Sequence, residues 1–143
     1  MNIRPFACGD EAAVIALWDR CELTRPWNDP HQDIQRKMTV QPELFVVGEH
    51  NGQIIASAMG GFDGHRGWIN YLAVCPTVQR QGLGRQLMAH LEHALRAMGC
   101  PKLNLQIRAG NSAAMAFYQA LGFGQDELVS MGKRLIVDQP SKA

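Results

Sequence analysis

Two glycines one residue apart, flanked by arginines, sit where an apolar stretch gives way to a helical one. The segment reads Leu72-Ala-Val-Cys-Pro-Thr-Val-Gln-Arg-Gln-Gly-Leu-Gly-Arg85. The first N–H groups of a helix have no partner inside it, and they carry the positive end of its dipole. Gly82 and Gly84 would let a ligand come close to that backbone, and Arg80 and Arg85 add positive charge beside it. This is the chemistry of an anion site, suited to phosphate or pyrophosphate.

Which phosphate compound it would hold can be narrowed by what the spacing lacks. A dinucleotide fingerprint needs a third glycine, and the position holds Leu87. It also needs an acid about 20 residues beyond the glycines. The chain there reads Lys102-Leu-Asn-Leu-Gln-Ile-Arg108, without an acid. No Gly-Lys-Ser/Thr is present, so NAD and ATP are both disfavoured. Other chemistries have weaker anchors. His90 and His93 flank Glu92 but do not form H-E-x-x-H, so no metal is expected. No G-x-S-x-G marks a hydrolase nucleophile. Cys75 follows the apolar stretch and reads either as a nucleophile or as a small buried thiol, the latter favoured.

The elements that must position this junction follow from periodicity. Residues 2–7 read as a strand. Asp10 reads as a helix cap before Val14, Leu17, Trp18 and Cys21 at helical spacing. Thr24 to Pro30 breaks that helix, and Asp29 with Pro30 starts a second one through about Met38. Strands are expected at 44–50 and 53–62, joined by the tight turn Asn51-Gly52. A further strand covers 68–74. Leu83, Leu87, Leu91, Leu95 and Met98 form the apolar stripe of the clearest helix, which Gly99 and Pro101 end. Leu103, Leu105 and Ile107 alternate as a strand, and Asn111 can cap a last helix with Ala114, Phe117 and Leu121 on its inner face. Residues 123–137 are expected to add one or two final strands. The order predicts an α/β sandwich, one sheet with helices on both faces.

Gln79-Arg-Gln-Gly-Leu-Gly84 and Asn111-x-x-Ala114-x-x-Phe117-Tyr118-x-x-x-Gly122-Phe123 together resemble the two acyl-CoA elements of the GCN5-related N-acetyltransferase (GNAT) family. The order of elements matches along essentially the whole chain. The resemblance implies a single N-acetyltransferase domain over residues 1–143. Its fold would be the acyl-CoA N-acyltransferase fold: a mixed, mostly antiparallel sheet, helices on both faces, and a central parallel pair of strands that splay apart to admit the cofactor. It implies acetyl-CoA as acetyl donor, with no metal. The edge formed by Leu72, Ala73 and Val74 would pair with the pantetheine arm. The backbone of Gln79, Arg80, Gln81, Gly82, Leu83, Gly84 and Arg85 would hold the pyrophosphate. Asn111 would bond the pantetheine, and Tyr118 would protonate the departing thiolate. Two helical turns separate those last two residues, placing them on one face about 10 Å apart. Read from the residues alone, Asn111 is equally a helix cap and Tyr118 a core aromatic.

Family members often carry a carboxylate on the strand before the loop. Trp68-Ile-Asn-Tyr-Leu72 has none. Candidate bases are Glu22, Asp29, Asp33, Asp63 and His65, or a chain of water. The missing carboxylate also motivates an alternative, a module that senses acyl-CoA without catalysis. Residues 19–33 hold Asp19, Glu22, Asp29 and Asp33 against Arg20 and Arg25. That surplus suits a cationic acceptor, either a small-molecule amine or a protein amino group, and reads equally as ordinary helix solvation.

Composition is consistent with this. The 143 residues are 46% hydrophobic and 19% charged, which suits one packed domain and argues against disorder. The net charge of +1 gives no reason to expect nucleic-acid binding. The longest uncharged run, Ala109 to Gln125, contains Asn111, Ser112, Gln119 and three glycines and does not read as a membrane span. No signal sequence is evident at the N-terminus. The four cysteines are scattered, with no C-x-x-C, which points to reduced thiols in the cytoplasm. A homodimer is a further expectation from the family.

Overall fold

The computed structural model of the chain describes residues 1–139. Its sheet grows from the turn at Asn51 and Gly52. Both residues take positive φ, 51° and 77°, as a two-residue hairpin requires. They join β2 (Phe45–His50) to β3 (Gln53–Phe62). Outside β2 lies β1 (Asn2–Pro5), and beyond β3 lies β4 (Gly67–Val74), every neighbour so far antiparallel. The fifth strand, β5 (Leu103–Asn104), is parallel to β4 and completes the order β1-β2-β3-β4-β5.

Period-two alternation along the strands divides the core between the two sheet faces. Phe45, Val47 and Met59 meet α1 (Glu11–Arg20) and α2 (Pro30–Lys37) through Val14, Leu17, Trp18 and Ile34. Val46, Ala56, Ala58 and Ile69 meet α3 (Leu83–Ala97) through Leu87, Met88, Leu91 and Leu95. Each of those fully buried side chains of α3 contributes roughly 1.5–3 kcal/mol by leaving water. The last helix, α4 (Ser112–Ala120), packs Tyr118 against the α3 side of the sheet. The mixed sheet with helices on both faces agrees with expectation.

The caps are as the sequence indicates for α2 and α4. Asp29 accepts from the His31 N–H at 2.9 Å with Pro30 in the first turn. The Asn111 side chain accepts from the Ala114 N–H at 3.1 Å. Asp10 differs. Its carboxylate takes the Ala7 N–H and the Arg4 guanidinium, fixing the turn before α1 rather than capping the helix.

Two expectations fail. β5 stops after two residues instead of running to Ile107. No helix or strand follows α4 among the described residues, so the strands expected within 123–137 are absent. Alternating apolar residues make a strand only where a free sheet edge and an apolar face are both within reach. Here the edge offered by β5 is two residues long, and Val129 and Met131 stay 88% and 91% exposed. Side chains tie the segment down instead: Lys102 to Asp126 at 2.8 Å, Gln106 to Ser130 at 2.6 Å, Arg134 to Asn28 at 2.6 Å, and Asp138 to Arg36. No helix among the described residues is long and apolar enough to cross a membrane.

Candidate functional site

The parallel pairing of β4 with β5 covers only Gly67 with Leu103 and Trp68 with Asn104. From Ile69 to Val74, β4 has β3 on one side and no strand on the other. The Cys75 N–H bonds Ile55 O of β3 at 2.8 Å. Strand alternation therefore turns the backbone of Val74 and Leu72 toward the open side. The Val74 carbonyl there is already taken by Gln79 Nε2 at 3.0 Å and Cys21 Sγ at 3.3 Å. The Val74 N–H and the groups of Leu72 remain on the edge.

A bulge lies in the middle of this edge. Ser57 faces Ala73 and Met59 faces Asn70, so Ala58 has both Tyr71 and Leu72 opposite it. Tyr71 adopts φ +53°, the left-handed region, at a position with no glycine. The bulge shifts the phase of the strand. Ile69 packs on the α3 side, whereas Tyr71, Ala73 and Cys75 pack on the α1 side and Leu72 and Val74 return to the α3 side.

Beyond β4 the chain makes one turn at Pro76–Val78 and passes through left-handed Arg80 (φ 67°) and Gly82 (φ 79°) into α3. Gly82 has no side chain to cap the helix, and the first bond of α3 runs from the Gln86 N–H to Gly82 O. The N–H groups of Leu83, Gly84 and Arg85 thus stand ahead of the helical ladder. Gln79, Arg80, Gln81 and Arg85 are exposed around them. The two glycines serve different ends. Gly82 is needed for its φ, and a Cβ on it would meet nothing within 4 Å. Gly84 is buried, and the space a side chain would take is filled by Phe117, with Val74 Cγ2 behind it at 3.7 Å. Gly84 therefore brings α3, α4 and β4 together from its place in the first turn of α3.

Tyr118 stands on the same side of the sheet. Its ring meets Phe117 and Phe123 edge-on, with centroids 5.0 and 5.5 Å away. The hydroxyl has no hydrogen-bond partner among the described residues. Burial pushes its pKa up to about 12. It is a protonated donor with its proton uncommitted. Asn111 spends its Oδ1 on capping α4, while its Nδ2 donors have no partner among the described residues.

The residues considered as bases fall in different places. Asp63 accepts from the N–H groups of His65 and Arg66 and from Trp68 Nε1, which holds it in the β3–β4 turn. These bonds keep its carboxyl below the ordinary range. Trp68 is six residues from Val74, about 20 Å along the strand, so Asp63 and His65 are far from the loop end of β4. Glu22 is exposed just past the end of α1, at φ 58°. Asp29 is buried as the cap of α2. Asp33 alone reaches the bulge, accepting from the Tyr71 hydroxyl at 2.6 Å. Burial, and then this carboxylate, hold the Tyr71 phenol above its ordinary range. Cys75 faces the α1 core, 3.3 Å from Thr77 Oγ1.

Three features had no signal in the sequence: the left-handed Tyr71, the Asp138 carboxylate reaching back 102 residues to Arg36, and the Arg108 guanidinium lying 5.6 Å over the Trp27 ring. The last links the end of the β5 stretch to the α1–α2 connection. Among the described residues no group of three or more His, Cys, Asp or Glu is placed to hold a metal. A cleft of about 340 Å³ lined by Leu95, Arg96, Cys100, Leu103 and Leu121 lies at the other end of α3, away from the glycines.

Comparison with known proteins agrees with this arrangement. The model of the acetyltransferase (GNAT) family matches residues 12–123. An acetyltransferase of Yersinia pestis is 49% identical over 139 residues, 97% of this chain and 99% of that protein. One from Pectobacterium atrosepticum is 48% identical over the same shares. Among solved structures, the ribosomal-protein-S18-alanine N-acetyltransferase of Escherichia coli superposes with a TM-score of 0.73 at 31% identity, over 87% of this chain and 78% of that one. An open strand edge that leads into an uncapped helix, on a chain this similar to acetyltransferases along its length, makes the protein an acyl-transferring enzyme and a member of the GNAT acetyltransferase family.

Proposed function

We propose that the protein transfers an acetyl group from acetyl-CoA to an amine by direct attack of the amine on the thioester. The observation that carries this is the continuity of the open β4 edge with the free N–H groups of α3, with Tyr118 and its uncommitted hydroxyl on the same side of the sheet. The N–H groups between Gln79 and Arg85 would hold the pyrophosphate, with Arg80 and Arg85 supplying charge. Leu72, Ala73 and Val74 would receive the pantetheine arm as an added strand. The Nδ2 donors of Asn111 would bond it further. The Val74 N–H, on the open side, would meet the charge that develops on the thioester oxygen. Tyr118 would give its proton to the departing thiolate.

An amine acceptor is supported by the solved relative named as an N-acetyltransferase of a ribosomal protein alanine. Of the four acids in residues 19–33, Asp29 is buried as a cap and Asp33 is bonded to Tyr71 and Arg36, so the acceptor, whether small-molecule amine or protein amino group, is inferred from that relative rather than from charge. Measuring free-CoA release across a broad amine panel tests the whole reading. Turnover with at least one amine is expected, and acetyl-CoA should raise the melting temperature where NAD and ATP raise it no more than generic polyanions do. Micromolar binding of NAD by calorimetry would overturn the assignment of the loop. A second reading, an acyl-CoA sensor, is favoured by the lack of a carboxylate on Trp68–Leu72. It predicts acetyl-CoA binding without turnover of any amine.

A further inference from the structure

We propose that Asp33 and Tyr71 form a latch that holds β4 in its bulged form, with Tyr71 a positioning residue for acyl transfer and Asp33 its anchor. The inference rests on the reading of the β4 edge as the acyl-donor site. It begins from an outlier. A tyrosine at φ +53° is in a conformation that L-residues with large side chains avoid, and such a backbone persists only where its surroundings over-determine it.

The surroundings of Tyr71 do so from three directions. Its ring stacks on Trp18 with centroids 3.9 Å apart and planes within 12°. Trp18 is itself fully buried and fixed by its Nε1, which donates to Ser57 Oγ at 2.9 Å. Ser57 Oγ then turns its own proton toward the Tyr71 carbonyl at 3.5 Å. At the far end of the ring, the hydroxyl donates to Asp33 Oδ2 at 2.6 Å. Asp33 is held in turn by its place on α2 and by Arg36 Nη1 at 3.3 Å, and Arg36 is held by Asp138. The backbone, ring and hydroxyl of one residue are thus each fixed by a different element.

What this fixes is the phase of the cofactor-facing edge. With the bulge, Leu72 and Val74 lie on the α3 side, where Tyr118 and Phe117 stand. Without it, the alternation set by Ile69 would carry them to the α1 side. Asp33 in this role needs only to accept a hydrogen bond. A base would need a carboxylate, and an amide could not replace it. The two roles therefore part on the Asp33→Asn substitution.

The test uses Tyr71→Phe, which keeps the ring and its stacking, with Asp33→Ala and Asp33→Asn. Amide hydrogen exchange at Ala73 and Cys75, whose N–H groups face β3 just past the bulge, is read in the ligand-free protein, and acetyl-CoA affinity is read by calorimetry. Tyr71→Phe and Asp33→Ala are expected to speed exchange at these amides and to weaken acetyl-CoA, each on the order of 10-fold, the effect of losing one hydrogen bond to a charged group. Asp33→Asn should stay within roughly threefold of the parent in both, because its amide oxygen still accepts. Exchange in Tyr71→Phe equal to that of the parent would overturn the latch. So would an Asp33→Asn protein as impaired as Asp33→Ala. If the parent itself does not bind acetyl-CoA, the donor assignment fails, and the exchange data on the free protein still decide the latch.

Discussion

Gly84 of α3 and Phe117 of α4 meet so closely that a methyl group on the glycine would stand 3.0 Å from the ring Cζ. Gly84→Ala must therefore push back, by a few tenths of an ångström, the Phe117 ring of the helix that Asn111 caps and that carries Tyr118. Overpacking of this kind costs about 1–3 kcal/mol. Both the melting temperature and acetyl-CoA affinity should fall. The loss should be partly recovered in Gly84→Ala/Phe117→Leu, a double-mutant cycle read by thermal denaturation. Gly82→Ala should behave differently, since its Cβ meets nothing. Its cost is the left-handed φ of 79°, about 1–2 kcal/mol, which changing Phe117 would not recover.

Asn111 carries two duties on different atoms, and two substitutions separate them. Asn111→Asp keeps an oxygen for the Ala114 N–H and loses the Nδ2 donors. It should leave the melting temperature nearly unchanged and raise KM for acetyl-CoA. Asn111→Ala loses the cap as well, at about 1 kcal/mol. Equal KM values for the parent and Asn111→Asp would assign the residue to capping alone.

Tyr118→Phe removes a hydroxyl that no described residue bonds, so stability should hold. A thiol-like leaving group with a pKa near 8.5 departs fairly well unaided. The loss in kcat should then lie at the low end of acid–base effects, roughly 10- to 100-fold, with acetyl-CoA affinity little changed. With its pKa pushed up to about 12, Tyr118 keeps its proton throughout the working range. The pH–rate profile should consequently show no falling limb below about pH 11 from this group. A Tyr118→Phe enzyme as active as the parent would make the residue structural.

Acid should weaken the fold through two named carboxylates. The Arg36 guanidinium holds the Asp138 carboxyl below the ordinary range, and Arg4 does the same for Asp10. A group with a lowered folded pKa stabilises above its unfolded value, about 3.9, and that contribution vanishes as pH falls through the folded one. Thermal unfolding should therefore lose stability below about pH 4. Asp138→Asn should flatten part of that slope and lower the melting temperature at pH 7, because the ion pair with Arg36 is lost and one remaining oxygen cannot serve both Arg36 and the Asp29 N–H.

Local signals are legible because their causes are local. Asn51-Gly52 forces a hairpin, Asp29-Pro30 starts α2, and the leucine stripe of α3 can bury only one face. The fold and the loop were legible on that basis. Tyr71 was not, since its backbone is set by Trp18, Ser57 and Asp33, none of them near it in sequence. The purpose of Gly84 was half legible. Its place in a turn is a matter of spacing, but its contact with Phe117 depends on where α4 packs. The alternation within 123–137 misled for a related reason. Val129 and Met131 have the pattern of a strand, but the two-residue β5 offers it almost no edge.

The bulge also bears on how this chain can change length over evolution. A one-residue insertion or deletion on either side of this bulge would slip the alternation, so the side chains beyond it would exchange faces of the sheet. Nine residues downstream of Val74, at Leu83, the chain enters α3, and its glycines would arrive out of step with the strand. The β3–β4 turn has no such constraint: Gly64, at φ 93°, has nothing within 4 Å of where a side chain would stand. Lineages descended from this sequence should gain and lose residues at that turn and keep the count between Gly67 and Gly84 fixed.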